Sequence, residues 1–172
     1  MLHSLERTQI LPTDLETAWT FFSDPRNLPQ ITPPWLGFTV TSGLPDQMYA
    51  GMIATYRVCP VPHVPITWVT EITRVDEPFF FVDEQRFGPY RFWHHQHHFR
   101  EVPGGIEMRD LVSYILPFGP LGKLAAGYVA RRLEAIFDFR KETLAKMVWS
   151  KEILDGRDSK DDRDDAGYCP GS

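Results

Sequence analysis

Residues 119–149, GPLGKLAAGYVARRLEAIFDFRKETLAKMVW, place Pro120 near the start of a run of helix-forming residues about eight turns long. Ala125, Val129, Leu133, Ile136, Phe137, Leu144 and Val148 fall largely on one stripe, while Arg131, Arg132, Lys141 and Lys146 mostly occupy the rest. The spacing predicts one amphipathic rod of about 45 Å at 1.5 Å per residue. Such a rod must be covered along its apolar side, and the preceding sequence supplies the cover. From Trp35 to Leu116 the pattern is strand-like, in the runs LGFTVTS, GMIATYRVCP, ITWVTEITRV, FFFVDEQRF, YRFWHHQHHFREV and GIEMRDLVSYILP. Asp76-Glu77-Pro78, Gly88-Pro89 and Pro103-Gly104-Gly105 are the clearest breaks. Short links between successive strands favour an antiparallel meander.

Upstream, residues 2–11 read as a first strand. Then comes TDLETAWTFFSD, in which Thr13 and Glu16 have capping-box spacing. Leu15, Ala18, Trp19 and Phe22 form the buried stripe of a helix that Asp24-Pro25 ends. A short second helix is expected over Arg26–Gln30. The fold class is therefore α+β, in the order β-α-α-β6-α, with about seven strands and a long C-terminal helix. A strongly curved sheet cannot lie flush on a straight helix, so a space opens between them unless large side chains fill it.

At 172 residues, one domain over residues 1–150 is expected, followed by an acidic tail at 151–172 with too few aliphatic residues to offset its ordering entropy. The net charge of −5 and the lack of a basic block argue against a nucleic-acid partner. No apolar run approaches the ~20 residues of a membrane-spanning helix. The N-terminus lacks the features of a signal peptide. Two cysteines, Cys59 and Cys169, make no disulfide framework, and Cys59 before Pro60 reads as a packed or edge thiol. A reducing, cytoplasmic setting is the expectation. There is no internal repeat, GxSxG, P-loop, HExxH or dinucleotide fingerprint, and no cofactor is expected.

The stretch RFWHHQHHFR, residues 91–100, holds four of the six histidines. Side chains alternate across a strand, so Trp93, His95, His97 and Phe99 share one face, and Phe92, His94, Gln96, His98 and Arg100 the other. The first set has the larger continuous apolar content and is placed inward. By the same parity Phe81, Asp83, Gln85 and Phe87 share a face, as do Asp110, Val112, Tyr114 and Leu116. If these faces also point inward, aromatic residues line the interior around a few polar groups: Asp83, Gln85, His95, His97, Asp110 and Tyr114. Buried polar groups on neighbouring strands must satisfy one another or meet a ligand. An Asp–His–Tyr network is equally consistent with a satisfied core.

The element order, with Trp68 and Ile72, Phe81-Val82-Asp83-Glu84-Gln85, Gly88-Pro89, the alternating Trp93, His95, His97 and Phe99, then Asp110, Tyr114, Pro117-Phe118-Gly119, Leu121-Gly122 and Ile136-Phe137 with Arg140, resembles the helix-grip fold of the START-like (SRPBCC) superfamily. That superfamily includes polyketide cyclases and lipid-binding domains. The resemblance covers roughly residues 1–150 and is greatest to a bacterial ligand-binding branch. It implies an internal cavity for an apolar or amphipathic small molecule. The expected ligand-binding residues are Trp68, Phe81, Asp83, Gln85, Trp93, His95, His97, Phe99, Asp110 and Tyr114, with Leu124 and Tyr128 from the long helix.

Three functions compete. The first is a binding module for a lipid- or polyketide-like molecule. The second is a cyclase or dehydratase in which His95 or His97 is the general base, Asp110 orients it and Tyr114 donates to an enolate oxygen. The third is a protein whose aromatic side chains fill its own interior and which acts through its surface. Metal is a further alternative: His95 and His97 could both reach one Zn²⁺, with Asp83 or Asp110 as a third ligand. His94 and His98, four apart on the outer face, are about 13 Å from end to end and cannot share an ion. Oligomeric state is left open.

Overall fold

The computed structural model describes residues 1–61, 63–117 and 119–149, and for residues 120–125 the backbone alone. Strands β1 (His3–Leu11), β2 (Thr39–Val40), β3 (Ile53–Val61), β4 (Val64–Asp76), β5 (Phe80–Phe87), β6 (Phe92–Val102) and β7 (Gly105–Ile115) form one antiparallel sheet. Its order is β1-β7-β6-β5-β4-β3-β2, so β2 to β7 are a meander and β1 returns beside β7. Helix α1 (Leu15–Phe22) follows β1, and α2 (Gly119–Lys146) closes the fold. This is the helix-grip arrangement expected from the order of elements.

The differences from the expected boundaries are local. Asp14, not Thr13, caps α1, accepting from the backbone N of Thr17 at 2.8 Å. The second helix is a 3-10 helix at Pro25–Ile31, and a further 3-10 turn at Pro34–Leu36 takes the start of the run expected as the first meander strand. Only Thr39–Val40 of that run joins the sheet. Cys59 is buried and disulfide-bonded rather than a free thiol, which corrects the packed-thiol expectation. The expected tail at residues 151–172 lies outside the described residues.

Register and bulges decide which faces point inward. Pairing shifts between Val58 and Val61 on β3, and twice along β4 where it meets β5. Such irregularities bend a sheet and increase its twist. Between the pairs Thr70–Gln85 and Val69–Phe87 the parity breaks, so Phe87 is 64% exposed rather than inward with Phe81. Along β6 and β7 the register is unbroken, and parity holds. Trp93, His95, His97 and Phe99 are buried, as are Asp110, Val112 and Tyr114.

Two apolar clusters support these faces. Trp19 and Phe22 of α1 pack with Phe81, Phe99, Ile106, Met108 and, from α2, Leu144. Farther along the sheet, Leu133 and Phe137 of α2 pack with Trp93, Val112 and Tyr114. The helical stripe is therefore buried at Leu133, Phe137 and Leu144, with Arg140 inserted among them. Val148 lies beyond the helix end and is 74% exposed, so it does not extend the stripe.

Candidate functional site

Strand β6 runs between β5 and β7, which sets acidic side chains on both sides of its inward histidines. The register pairs Asp83 with His95 across β5–β6 and His97 with Asp110 across β6–β7. The two imidazoles, two residues apart on one face, have ring centroids 3.8 Å apart. Phe81 stacks on His97 at 4.0 Å and 15°, and Phe137 of α2 meets the edge of His95 at 5.8 Å. The aromatic packing fixes both rings in place.

Each imidazole nitrogen faces a carboxylate oxygen. His95 Nε2 lies 2.9 Å from Asp110 Oδ1, and its Nδ1 lies 3.3 Å from Asp83 Oδ2. His97 Nε2 lies 2.9 Å from Asp83 Oδ2. Its Nδ1 lies 3.2 Å from Asp110 Oδ1, within ion-pair reach but not aligned as a hydrogen bond. The Trp93 indole N–H donates to Asp83 Oδ1 at 3.2 Å, and Arg140 Nη1 approaches Asp110 Oδ1 at 3.9 Å. Burial alone would raise both carboxyl groups, but the charge and hydrogen bonds of His95 and His97 outweigh it and hold them well below the usual range. Burial pulls His95 down, yet the Asp83 charge and the Asp110 hydrogen bond leave it above the ordinary imidazole value.

Over this cluster, between the sheet and α2, lies a cavity of about 450 Å³. Its wall is mostly aromatic and aliphatic: Trp35, Phe38, Tyr56, Trp68, Tyr90 and Trp93 contribute, with Val129, Leu133 and Ile136 from α2. Asp83, His95 and His97 are its polar patch, and Arg132 and Arg140 add two guanidinium groups. Burial pushes the Tyr56 and Tyr90 hydroxyls far above the usual tyrosine range, so both stay neutral. Three donors on the wall, Trp68 Nε1, Arg132 Nε and Arg140 Nε, are buried without a hydrogen-bond partner among the described residues. The Arg132 guanidinium instead covers the Trp35 ring at 4.0 Å, and that of Arg140 lies 4.9 Å from the Phe137 centroid.

Residues 11–137 match the family model described as polyketide cyclase / dehydrase and lipid transport. The chain belongs to that family. Solved structures agree on the fold. TTHA0849 from Thermus thermophilus aligns with TM-score 0.60 at 15% identity, covering 83% of this chain and 97% of its own. CV1439 from Chromobacterium violaceum gives 0.62 at 12%, covering 86% and 97%. Ms6760 from Mycobacterium smegmatis gives 0.56 at 21%, covering 84% and 92%. A comparison with curated proteins finds no match.

Within this polyketide cyclase/dehydrase and lipid transport framework, the sequence-derived candidates divide. Trp68, Phe81, Asp83, Trp93, His95, His97 and Tyr128 lie on the cavity wall. Gln85, Phe99, Asp110 and Tyr114 do not. The Gln85 amide donates to Tyr90 O at 2.6 Å and accepts from Tyr90 N at 3.2 Å, closing the β5–β6 turn. Gly88 in that turn has φ +157°, and a Cβ there would stand 2.6 Å from Gln85 Oε1 and 2.8 Å from Trp68 Cδ1. Phe99 packs in the core against Trp19 and Phe22. Asp110 stands behind the histidines, and Tyr114 stacks with His3 at 5.2 Å. The Leu124 side chain lies outside the described residues. Sequence reasoning did not select Arg132 and Arg140 as site residues. Arg140 was visible in principle, because it follows Phe137 by three positions on the buried stripe. Trp35 and Tyr56 carried no such signal.

Proposed function

We propose that this chain binds one amphipathic small molecule, lipid- or polyketide-like, in the cavity between the sheet and α2. The observation that carries this reading is an apolar cavity of about 450 Å³ whose buried polar atoms without a hydrogen-bond partner among the described residues include Trp68 Nε1, Arg132 Nε and Arg140 Nε. Pockets of that size and lining accept small organic molecules, with a few placed polar groups fixing orientation. These three are N–H donors, so the fitting molecule has an apolar body and an acceptor-bearing end. Leaving them unpaired is unfavourable; an acceptor on the ligand satisfies them.

Native mass spectrometry of the untagged chain, together with titration by 8-anilinonaphthalene-1-sulfonate, tests this. The expected result is saturable binding of one molecule per chain, weakened at least tenfold by Val129→Trp, which fills the cavity from α2. A folded wild-type chain that neither carries a co-purified species nor binds the probe saturably contradicts the reading.

A catalytic reading has one specific support: His95 faces the cavity with Asp110 behind it at 2.9 Å, the arrangement of a proton-transfer group and its orienting partner. The raised affinity of His95 for its proton suits it to donate rather than to abstract. Tyr114 is away from the cavity wall and has no part in that reading. Loss of cyclic-product formation from a candidate polyketide in His95→Gln, with ligand affinity retained, would distinguish catalysis from binding alone.

A further inference from the structure

The contacts around His95 and His97 do not balance with neutral rings. A neutral imidazole carries one N–H and one lone pair. Two neutral rings supply two N–H groups, yet four ring nitrogens stand 2.9–3.3 Å from carboxylate oxygens. Two of those contacts must then set a lone pair against an anionic oxygen. Hydrogen bonds are aligned at His95 Nε2–Asp110 Oδ1 and His97 Nε2–Asp83 Oδ2, both 2.9 Å. His97 Nδ1, 3.2 Å from Asp110 Oδ1, has no aligned hydrogen bond, and His95 Nδ1 stands 3.3 Å from Asp83 Oδ2, so these two nitrogens are left facing anionic oxygens. With the His97 N–H on Nδ1 instead, facing Asp110 Oδ1, His95 Nδ1 and His97 Nε2 both present lone pairs toward Asp83 Oδ2. Two added protons relieve the conflict, and so does one divalent cation.

We propose that Asp83, His95 and His97 form a binding site for a divalent transition-metal ion of the Zn²⁺ type in the cavity wall. One ligand atom from each of the three lies within 4.8 Å of the others. The Asp83–His97 and Asp83–His95 separations of 2.9 and 3.3 Å are near the roughly 3.3 Å edge of a tetrahedron with bonds of about 2.0–2.1 Å. Each ligand is also held from outside the site. Trp93 Nε1–H binds Asp83 Oδ1 and leaves Oδ2 for the ion; Asp110 fixes the His95 tautomer and stands beside His97 Nδ1. Carboxylate partners on the far imidazole nitrogen are characteristic of histidines that ligate metal. The two carboxylates lie within 3.3 Å of the imidazoles, whereas the nearest guanidinium, that of Arg140, is 3.9 Å from Asp110, on the far side of the histidines from Asp83, and that of Arg132 covers Trp35. Three protein ligands leave a fourth position, and all three residues line the cavity, so that position opens on the space where a small molecule fits.

The test uses the full chain without a histidine tag, treated with chelator and dialysed, then titrated with Zn²⁺ by calorimetry and with Co²⁺ by absorption. One Zn²⁺ per chain is expected, with an intense tetrahedral Co²⁺ band. The combined variant His94→Ala and His98→Ala, which removes the outward imidazoles, should bind as the wild type does. Asp83→Asn and His97→Gln, checked for folding by near-ultraviolet circular dichroism, should each lower affinity at least a hundredfold. Absence of binding by the wild type at 100-fold excess Zn²⁺ overturns the proposal, as does loss of binding with the outward pair. If the inward variants do not fold, the wild-type Co²⁺ spectrum decides: a weak octahedral band overturns the site, and an intense tetrahedral band retained by the outward variant supports it. The ligand-binding reading is measured separately with the metal-free chain, so either can fail alone.

Discussion

Asp110 on β7 places its Oδ1 2.9 Å from His95 Nε2 on β6, and both side chains are buried. This bond links β7 to β6 and holds the imidazole that faces the cavity. Asp110→Asn removes the charge while keeping the shape, leaving His95 and Arg140 short of a counter-charge. Breaking a buried pair costs about 3–5 kcal/mol. Urea unfolding at neutral pH should show a loss in that range. His94→Ala, which removes an exposed-side partner of Glu84 at 2.7 Å, should cost under about 1 kcal/mol.

The same cluster makes stability depend on pH in metal-free protein. Asp83 and Asp110 are held below the ordinary carboxylate value of 3.8, so their contribution is present above that value and is lost as pH falls through their lowered folded values. His95 is held above its ordinary 6.5; its contribution is full below 6.5 and is lost as pH rises through the raised folded value. His97, Trp93 and Arg140 also face them, and Tyr56 feels the Asp83 charge. Urea midpoints measured in chelator should peak between about 4 and 6.5 and decline on both sides. A midpoint that keeps climbing through pH 8 contradicts this account of the cluster.

Leu144 is fully buried where α2 meets α1, whereas Val148 is 74% exposed past the helix end. Leu144→Ala should destabilise by about 2–5 kcal/mol. Val148→Ala should stay within about 0.5 kcal/mol. Thermal or urea unfolding of the two variants checks both.

Gly105 opens β7 with φ +138°, and a Cβ there would stand 2.0 Å from the Leu11 carbonyl oxygen. Backbone must move to admit any side chain. Gly105→Ala should cost more than about 2 kcal/mol, whereas Gly104→Ala, with open space around it, pays only for its positive φ, about 1 kcal/mol. Equal unfolding midpoints for the two variants would contradict the β1–β7 register.

Period and punctuation made most of the fold legible. The long helix announces itself by composition over many turns, and β6 and β7 by unbroken alternation, so His95 and His97 could be turned inward from parity alone. Phe87 shows where that reasoning stops. A bulge reverses parity beyond it, and nothing in FVDEQRF marks the extra residue. The site was legible only in part, for a similar reason. Strand neighbours such as Asp83 and Asp110 follow from meander order, but the reach of Arg132 and the contribution of Trp35 depend on how α2 crosses the sheet. The Gln85 amide bonds to the Tyr90 backbone, a local turn contact that strand parity does not reveal.

The central claim is that an amphipathic molecule occupies the space between sheet and α2 and satisfies donors left unpaired there. The most direct measurement follows the indole N–H signals of ¹⁵N-tryptophan-labelled protein during titration with 8-anilinonaphthalene-1-sulfonate. Trp68, whose Nε1 has no partner among the described residues, should shift with saturation at one probe per chain. Trp19 in the core and Trp149, which donates to Leu144 O at 3.3 Å, should hold still. An unmoved Trp68 signal while the probe binds, or shifts confined to Trp19 and Trp149, would place the molecule elsewhere and contradict the account.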